Sequence, residues 1–207
     1  MSRSYGQYCG LARALDVVGD RWNLLIVRQL LIAPARYREL LDGLPGVATN
    51  LLADRLRDLE TAGVVERRLA ADGNAIVYVL TPWGSELREP VESLIRWSTP
   101  LMVRGPGSDR FRADWLVVGL QALLAGREAE RRSSTVGIAV DGQLLQVRVT
   151  RSGVAVSLHD GGELDAVVRA DASIVLGLAA GVLPLSDTLG LVGIEGDEAA
   201  VRAVFDR

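Results

Sequence analysis

The residues best placed to do chemistry lie between positions 36 and 74. Thr49-Asn50 heads a segment whose leucines recur at 51, 52, 56 and 59. Asparagine can engage an adenine edge with both side-chain atoms, and arginine can engage guanine or a phosphate. If the leucines pack inward on a helix, Thr49, Asn50, Ala53, Asp54 and Arg57 face outward. Arg55 then stands at the margin of the apolar stripe, where it suits a phosphate clamp. Arg36, Tyr37 and Arg38 lie near the start of the preceding short helix, and Arg67, Arg68 and Asn74 belong to the hairpin, or wing, that follows. Base edges met at a helix start, with cations on both sides, are the chemistry of double-stranded DNA contact. The competing reading is an all-helical domain with solvated arginines, because segment 36–68 balances six Arg against six acids.

Other chemistries find few residues to carry them. Cys9 is the only cysteine and His159 the only histidine in 207 residues. An intrachain disulfide, a cysteine-cluster metal site and multi-histidine catalysis are therefore excluded. All 23 cationic side chains are Arg, so a lysine-bearing phosphate loop is impossible, and no GxSxG elbow is present. His159 beside Asp160-Gly-Gly162 reads as a surface residue, and Asp141, Asp160 and Asp165 lack metal-ligand spacing. We expect no enzyme, no metal and no cofactor. No stretch reaches the ~18–20 apolar residues of a membrane span, and the N-terminus carries no apolar signal core. With a lone cysteine, this leads to an expectation of the cytoplasm.

These residues need particular elements to position them. Leu11, Ala14, Leu15 and Val18 predict a first helix, and the nearly unbroken apolar run Trp22–Ile32 predicts a buried second one. Tyr37–Leu44 predicts a short helix closed by Pro45-Gly46, and Ala48 or Thr49 opens the next, with Gly63 just past its end. Val64–Arg68 and Ile76–Leu80 predict a hairpin. Ser85–Met102 predicts a long amphipathic helix with Leu87, Val91, Leu94, Ser98 and Leu101 on one side. Arg104-Gly-Pro-Gly-Ser108 reads as a linker. Beyond it we expect a helix over Asp109–Ala125 and strands over Thr135–Val140 and Gln143–Thr150, turned by Asp141-Gly142. Further strands are expected at Val154–Leu158, Ala166–Ala170 and Val192–Ile194, with helices from Asp171 to Ala180 and from Asp197 to Phe205. The fold class is α+β.

The order of helices, tight turn, helix and hairpin is that of a winged helix-turn-helix. Several segments also resemble the HxlR family of bacterial winged-helix regulators: Cys9-Gly-Leu-Ala-Arg-Ala-Leu-Asp-Val-Val-Gly-Asp-Arg-Trp22, Arg36-Tyr-Arg-Glu-Leu40, Leu44-Pro-Gly-Val-Ala-Thr-Asn-Leu-Leu52, Arg55–Arg67 and Tyr78-Val-Leu-Thr-Pro-Trp-Gly84. The resemblance implies a homodimer on a palindromic operator. The first helix and the 85–102 helix would then form the seam, through Leu11, Leu87, Val91, Leu94, Ser98 and Leu101. In some members of this family an N-terminal cysteine senses oxidation, which would give Cys9 a redox role; a packing role is the alternative.

Taken whole, the formal charge of −3 argues against DNA, but residues 1–103 hold 12 Arg and 12 acids, and the acidic surplus lies in 104–207. We therefore divide the chain into residues 1–104, for DNA binding and dimerisation, and 105–207. In the latter, Asp165–Gly181, Leu185 and Ile194-Glu-Gly-Asp-Glu198 resemble sterol-carrier-protein type 2-like domains. That resemblance implies a sheet covered by helices, with an apolar effector site lined by Leu116, Leu120, Leu124, Val147, Val156, Ile174 and Leu178; an ordinary core is the alternative. The function expected is a sequence-specific DNA-binding regulator, a repressor tuned by an apolar small molecule. The rival is a lipid-binding protein whose winged helix serves protein contacts.

Overall fold

Helix α1 (Gly10–Val18), α2 (Asn23–Ile32), α3 (Tyr37–Gly43) and α4 (Thr49–Thr61) precede a hairpin of β1 (Val65–Leu69) and β2 (Ile76–Leu80). The structure is a computed structural model that describes residues 4–102, 105, 107–127, 133–188 and 190–206. The chain divides into two units, Met1–Val91 and Glu92–Arg207. The division falls within α6 (Arg88–Met102), which follows the short helix α5 (Pro82–Ser85). The expected linker lies further on, and its Arg104 and Pro106 are outside the described residues.

The first unit is centred on α2, whose Ile26, Val27, Leu30 and Leu31 are buried, together with Leu40 and Leu44 and with Leu52, Leu56 and Leu59 of α4. Leucines on one side of a helix lose water contact only when another apolar surface covers them, and these elements cover one another. Asn23, itself buried, donates to the Val17 carbonyl (2.8 Å) and ties the end of α1 to the start of α2. Ala35 and Tyr78 exchange backbone hydrogen bonds (3.1 and 2.8 Å), which adds a bridge beside β2. Thr81 closes the hairpin base: its hydroxyl donates to the Gly63 carbonyl (2.7 Å) and accepts from the Gly84 N–H (2.9 Å).

Two helices differ from expectation in this region. In α1, Ala12 and Val18 are buried while Leu11 and Leu15 are exposed, so the leucine side of α1 does not face its own unit's core. The helix expected from Ser85 is broken: Thr81 caps α5, and the chain restarts as α6 at Arg88.

The second unit holds a five-stranded sheet in the order β5 (Gly153–Leu158), β4 (Gln143–Thr150), β3 (Ser134–Val140), β6 (Ala166–Arg169), β7 (Gly193–Gly196). β3 and β6 are parallel and the other neighbours antiparallel. Asp141 and Gly142 both have positive φ (47° and 76°), the backbone that a two-residue type I′ hairpin demands. Helices α7 (Leu116–Leu123), α8 (Ala172–Ala180), α9 (Leu185–Thr188) and α10 (Glu198–Phe205) accompany the sheet, with α7 on β5 and α10 on β3 and β6.

Gln121 of α7 meets the backbone of edge strand β5 at both ends of its amide. It donates to the Val154 carbonyl and accepts from the Val156 N–H, each at 2.9 Å. The edge is thus occupied and withheld from other strands. The helix expected from Asp109 begins only at Leu116, after one 3-10 turn over Ala113–Trp115. Arg112 is extended (φ −139°), and its guanidinium reaches two residues ahead to the Asp114 carboxylate at 3.0 Å, holding the chain out of helix there.

Candidate nucleic-acid interface

The first turn of α4 is presented by the elements before it. The Tyr37 hydroxyl donates to the Thr49 carbonyl (2.6 Å), so α3 fixes where α4 begins. The Arg36 N–H donates to the Glu39 carboxylate (2.6 Å), which fixes the start of α3. Ala48 is the cap residue of α4 and offers no side-chain acceptor, so its first N–H groups are not satisfied by a side chain. Such groups suit a phosphate oxygen.

Leu52, Leu56 and Leu59 are fully buried, and Leu51 is half-buried. The helix is thereby rotated so that Thr49, Asn50, Asp54 and Arg57 are exposed, with Ala53 and Arg55 half-buried. Arg67 and Arg68 are exposed on β1, and Asn74 is exposed at the hairpin tip, where its N–H donates to Asp72 (3.1 Å). Most of the side chains expected to meet DNA are thus exposed on one unit, while Tyr37, Ala53 and Arg55 are half-buried.

Sequence reasoning did not anticipate how completely these cations are engaged within the chain. Arg57 pairs with Asp54 (3.1 Å), Arg67 with Glu60 (2.6 Å), Arg36 with Asp72 (3.6 Å) and Arg68 with Glu66. Each of these four arginines is at least half exposed, so the pairs are weak and exchangeable. Arg55 is different. Its side chain is only 22% exposed and bridges two carboxylates, Asp20 after α1 and Asp58 one turn along α4 (3.2 Å). It holds α4 against the α1–α2 turn, and a phosphate must displace both acids to use it. Arg38 is exposed and has no ion pair among the described residues.

The residues expected at a dimer seam are divided. Leu11, Leu94 and Leu101 are exposed, Val91 is buried, and Leu87 and Ser98 are half-buried. Trp97, which the heptad-like spacing passed over, is 76% exposed one turn after Leu94. Leu94, Trp97 and Leu101 thus form an exposed apolar stripe on α6. Cys9 is exposed at the start of α1, and the N–H groups of Ala12 and Leu11 hold its thiol below the usual range.

The residues expected around an effector lie within the second unit. Leu116, Leu120, Leu124, Val147 and Leu178 are fully buried among one another's elements, and Val156 and Ile174 are half-buried. A cavity of about 620 Å³ in that unit is walled by other residues, on α8 and around it. His159 does not form a catalytic relay. Its Nδ1 faces the Gln146 Oε1 (3.3 Å), while the Gln146 amide donates to Asp160 and Ser157. Among the described residues no group of three or more His, Cys, Asp or Glu could hold a metal, and no helix is long and apolar enough to cross a membrane.

Comparison with known proteins matches residues 17–105 to the HxlR-like helix-turn-helix family. The HTH-type transcriptional regulator YodB of Bacillus subtilis is 31% identical over 86 residues, covering 41% of this chain and 77% of its own. The HTH-type transcriptional regulator YvaP of the same organism, uncharacterised, is 35% identical over 88 residues, covering 42% and 82%. A crystal structure of quinone-bound YodB is 30% identical, covers 44% of this chain and 96% of its own, and superposes with a TM-score of 0.39.

Proposed function

This chain belongs to the HxlR-like helix-turn-helix family, and from that membership we propose that it is a sequence-specific DNA-binding transcriptional repressor acting as a homodimer on a palindromic operator in the cytoplasm. The observation that carries the reading is the exposure of Thr49 and Asn50 on the uncapped first turn of α4, with Leu52, Leu56 and Leu59 buried behind them. That arrangement supports a reading in which the start of α4 meets base edges, with Arg57 two turns along the helix and Arg67 and Arg68 on the wing meeting phosphates. It favours DNA over a protein partner, because the exposed turn is polar and its amides suit an anion.

The homodimer reading rests on Leu11, Leu94, Trp97 and Leu101, apolar side chains left in solvent on α1 and α6. Residues 105–207 are read as a sterol-carrier-like domain that takes an apolar small-molecule effector. The five-stranded sheet with its accompanying helices supports that reading. An effector releases DNA only if it favours a dimer geometry with a different half-site spacing. Cys9 is read as the position where oxidation, through a disulfide across the dimer, alters operator binding.

Gel retardation of the DNA upstream of the chain's own coding sequence, at low salt, tests the proposal. The expected result is a shift that unlabelled specific DNA removes at lower concentration than random duplex does. Equal competition by the two would refute it.

A further inference from the structure

Parallel strands β3 and β6 run in register, with Ala139 opposite Arg169, so they end side by side. Two residues further along each stands a carboxylate: Asp141 in the β3–β4 turn and Asp171 at the head of α8. Ligands of parallel sheets gather beyond the carboxyl ends of the strands, where the following helix starts. Here that end of the sheet opens on the cavity of about 620 Å³, and both aspartates belong to its wall. The volume lies in the range of small-molecule sites.

The remainder of the wall is mostly apolar. Ala172, Leu176, Gly177 and Ala180 recur at helical spacing on one face of α8, and Phe111 and Leu183 also line the chamber. Leu183 folds back against α8 because residue 177 is glycine: a Cβ there would lie 2.9 Å from the Leu183 Cγ. Neither aspartate has an ion pair or side-chain hydrogen bond among the described residues. Asp171 occupies the cap position of α8, yet its carboxylate accepts from no N–H of the first turn. An apolar chamber with two solvent-exposed, unpaired carboxylates in its wall is complementary to a molecule that is apolar in body and positive at one end. A neutral apolar molecule would leave both charges facing it, and an anionic lipid would be repelled.

We propose that this cavity binds an amphipathic organic cation, its apolar body against α8 and its ammonium group between Asp141 and Asp171. The inference rests on the regulator reading for its consequence, since the bound cation is then the effector; the site itself stands on the geometry.

Calorimetric titration of the full chain with decyltrimethylammonium and decanoate below their micellar concentrations, and with decanol below its solubility limit, tests it. The cation is expected to bind about ten-fold more tightly than decanol, and decanoate more weakly than either. The double variant Asp141→Asn, Asp171→Asn keeps residue types suited to a type I′ turn and a helix cap. It should bring the cation to the affinity of decanol and leave decanol unchanged. Ser173→Trp, at an exposed position of the wall, should abolish binding of both.

Equal affinity for cation and decanol, an unaffected double variant, or no binding by any of the three would overturn the inference. So would a Ser173→Trp variant that changes sedimentation but not ligand binding, which would mark the chamber as a contact with a second copy. Gel retardation of the same samples separates the two readings. DNA binding without cation binding overturns this inference alone; cation binding without selective DNA binding overturns the regulator.

Discussion

Replacing Asp54 with Asn should strengthen non-specific DNA binding. Arg57 lies 3.1 Å from Asp54, and both side chains are more than half exposed, 70% and 54%. An exposed pair of this kind contributes about 0.2–1 kcal/mol. A phosphate that takes Arg57 must displace Asp54 and leave that carboxylate facing DNA. The substitution removes both penalties, once per subunit. In the proposed dimer this gives about 0.4–2 kcal/mol, or about a 2- to 30-fold tighter complex. It should also steepen the dependence on salt. One additional net phosphate contact per subunit changes the slope of log affinity against log salt by about −0.9, so about −1.8 for a dimer. Fluorescence anisotropy with a labelled random duplex, across a salt series, measures both quantities. Unchanged affinity and slope would refute the idea that internal carboxylates hold these arginines back. Specific operator binding is read separately, because Asp54 can itself accept from a cytosine edge.

Four further outcomes are expected. Arg55→Met should lower folding stability by about 1–2 kcal/mol, measured by urea denaturation, because a half-buried bridge to Asp20 and Asp58 is lost; stability equal to the parent would return Arg55 to the DNA contacts alone. If α6 forms the proposed dimer seam, Leu94→Arg should dissociate it: burying one leucine contributes about 2 kcal/mol, counted twice in a symmetric seam, so association weakens about a thousand-fold in sedimentation velocity. Cys9 should be alkylated by iodoacetamide with a pH midpoint below that of the urea-unfolded chain, because the first-turn N–H groups favour the thiolate; a midpoint equal to or above the unfolded one would contradict the assignment. Gly84→Ala should destabilise the first unit by about 3 kcal/mol in thermal or urea unfolding, because the added Cβ would collide with the Val64 carbonyl oxygen.

Most elements were legible because the rules that form them are local. The leucine period of α4, the Gly after it, the two β-rich runs and the Asp141-Gly142 turn each carry their own instruction over a few residues. The expectations that changed did so where a distant or competing contact intervened. Leu11 and Leu15 carry a helical period as regular as that of a core face, but Ala12 and Val18 are the α1 residues buried. The 109–125 stretch has helical composition, but Arg112 bonded to Asp114 in extended backbone postpones the helix to Leu116. Leu116, Leu120 and Leu178 read equally well as cavity lining or as core, since periodicity reports which side is apolar and not whether space remains beside it.

By itself, the sequence determined the winged helix-turn-helix order, the polar start of α4, the α+β second half and the reliance on arginine for every cationic side chain. Only the tertiary structure decided the electrostatics. Whether Arg55 is free depends on Asp20, 35 positions away, and whether Arg67 is free depends on the rotation of Glu60 on α4. It likewise decided that two aspartates 30 residues apart share one cavity wall, because the parallel register of β3 and β6 brings their strand ends together. Periodicity acts within an element and can be read along the chain. Charge pairing and cavities act between elements, and arise only once those elements have packed.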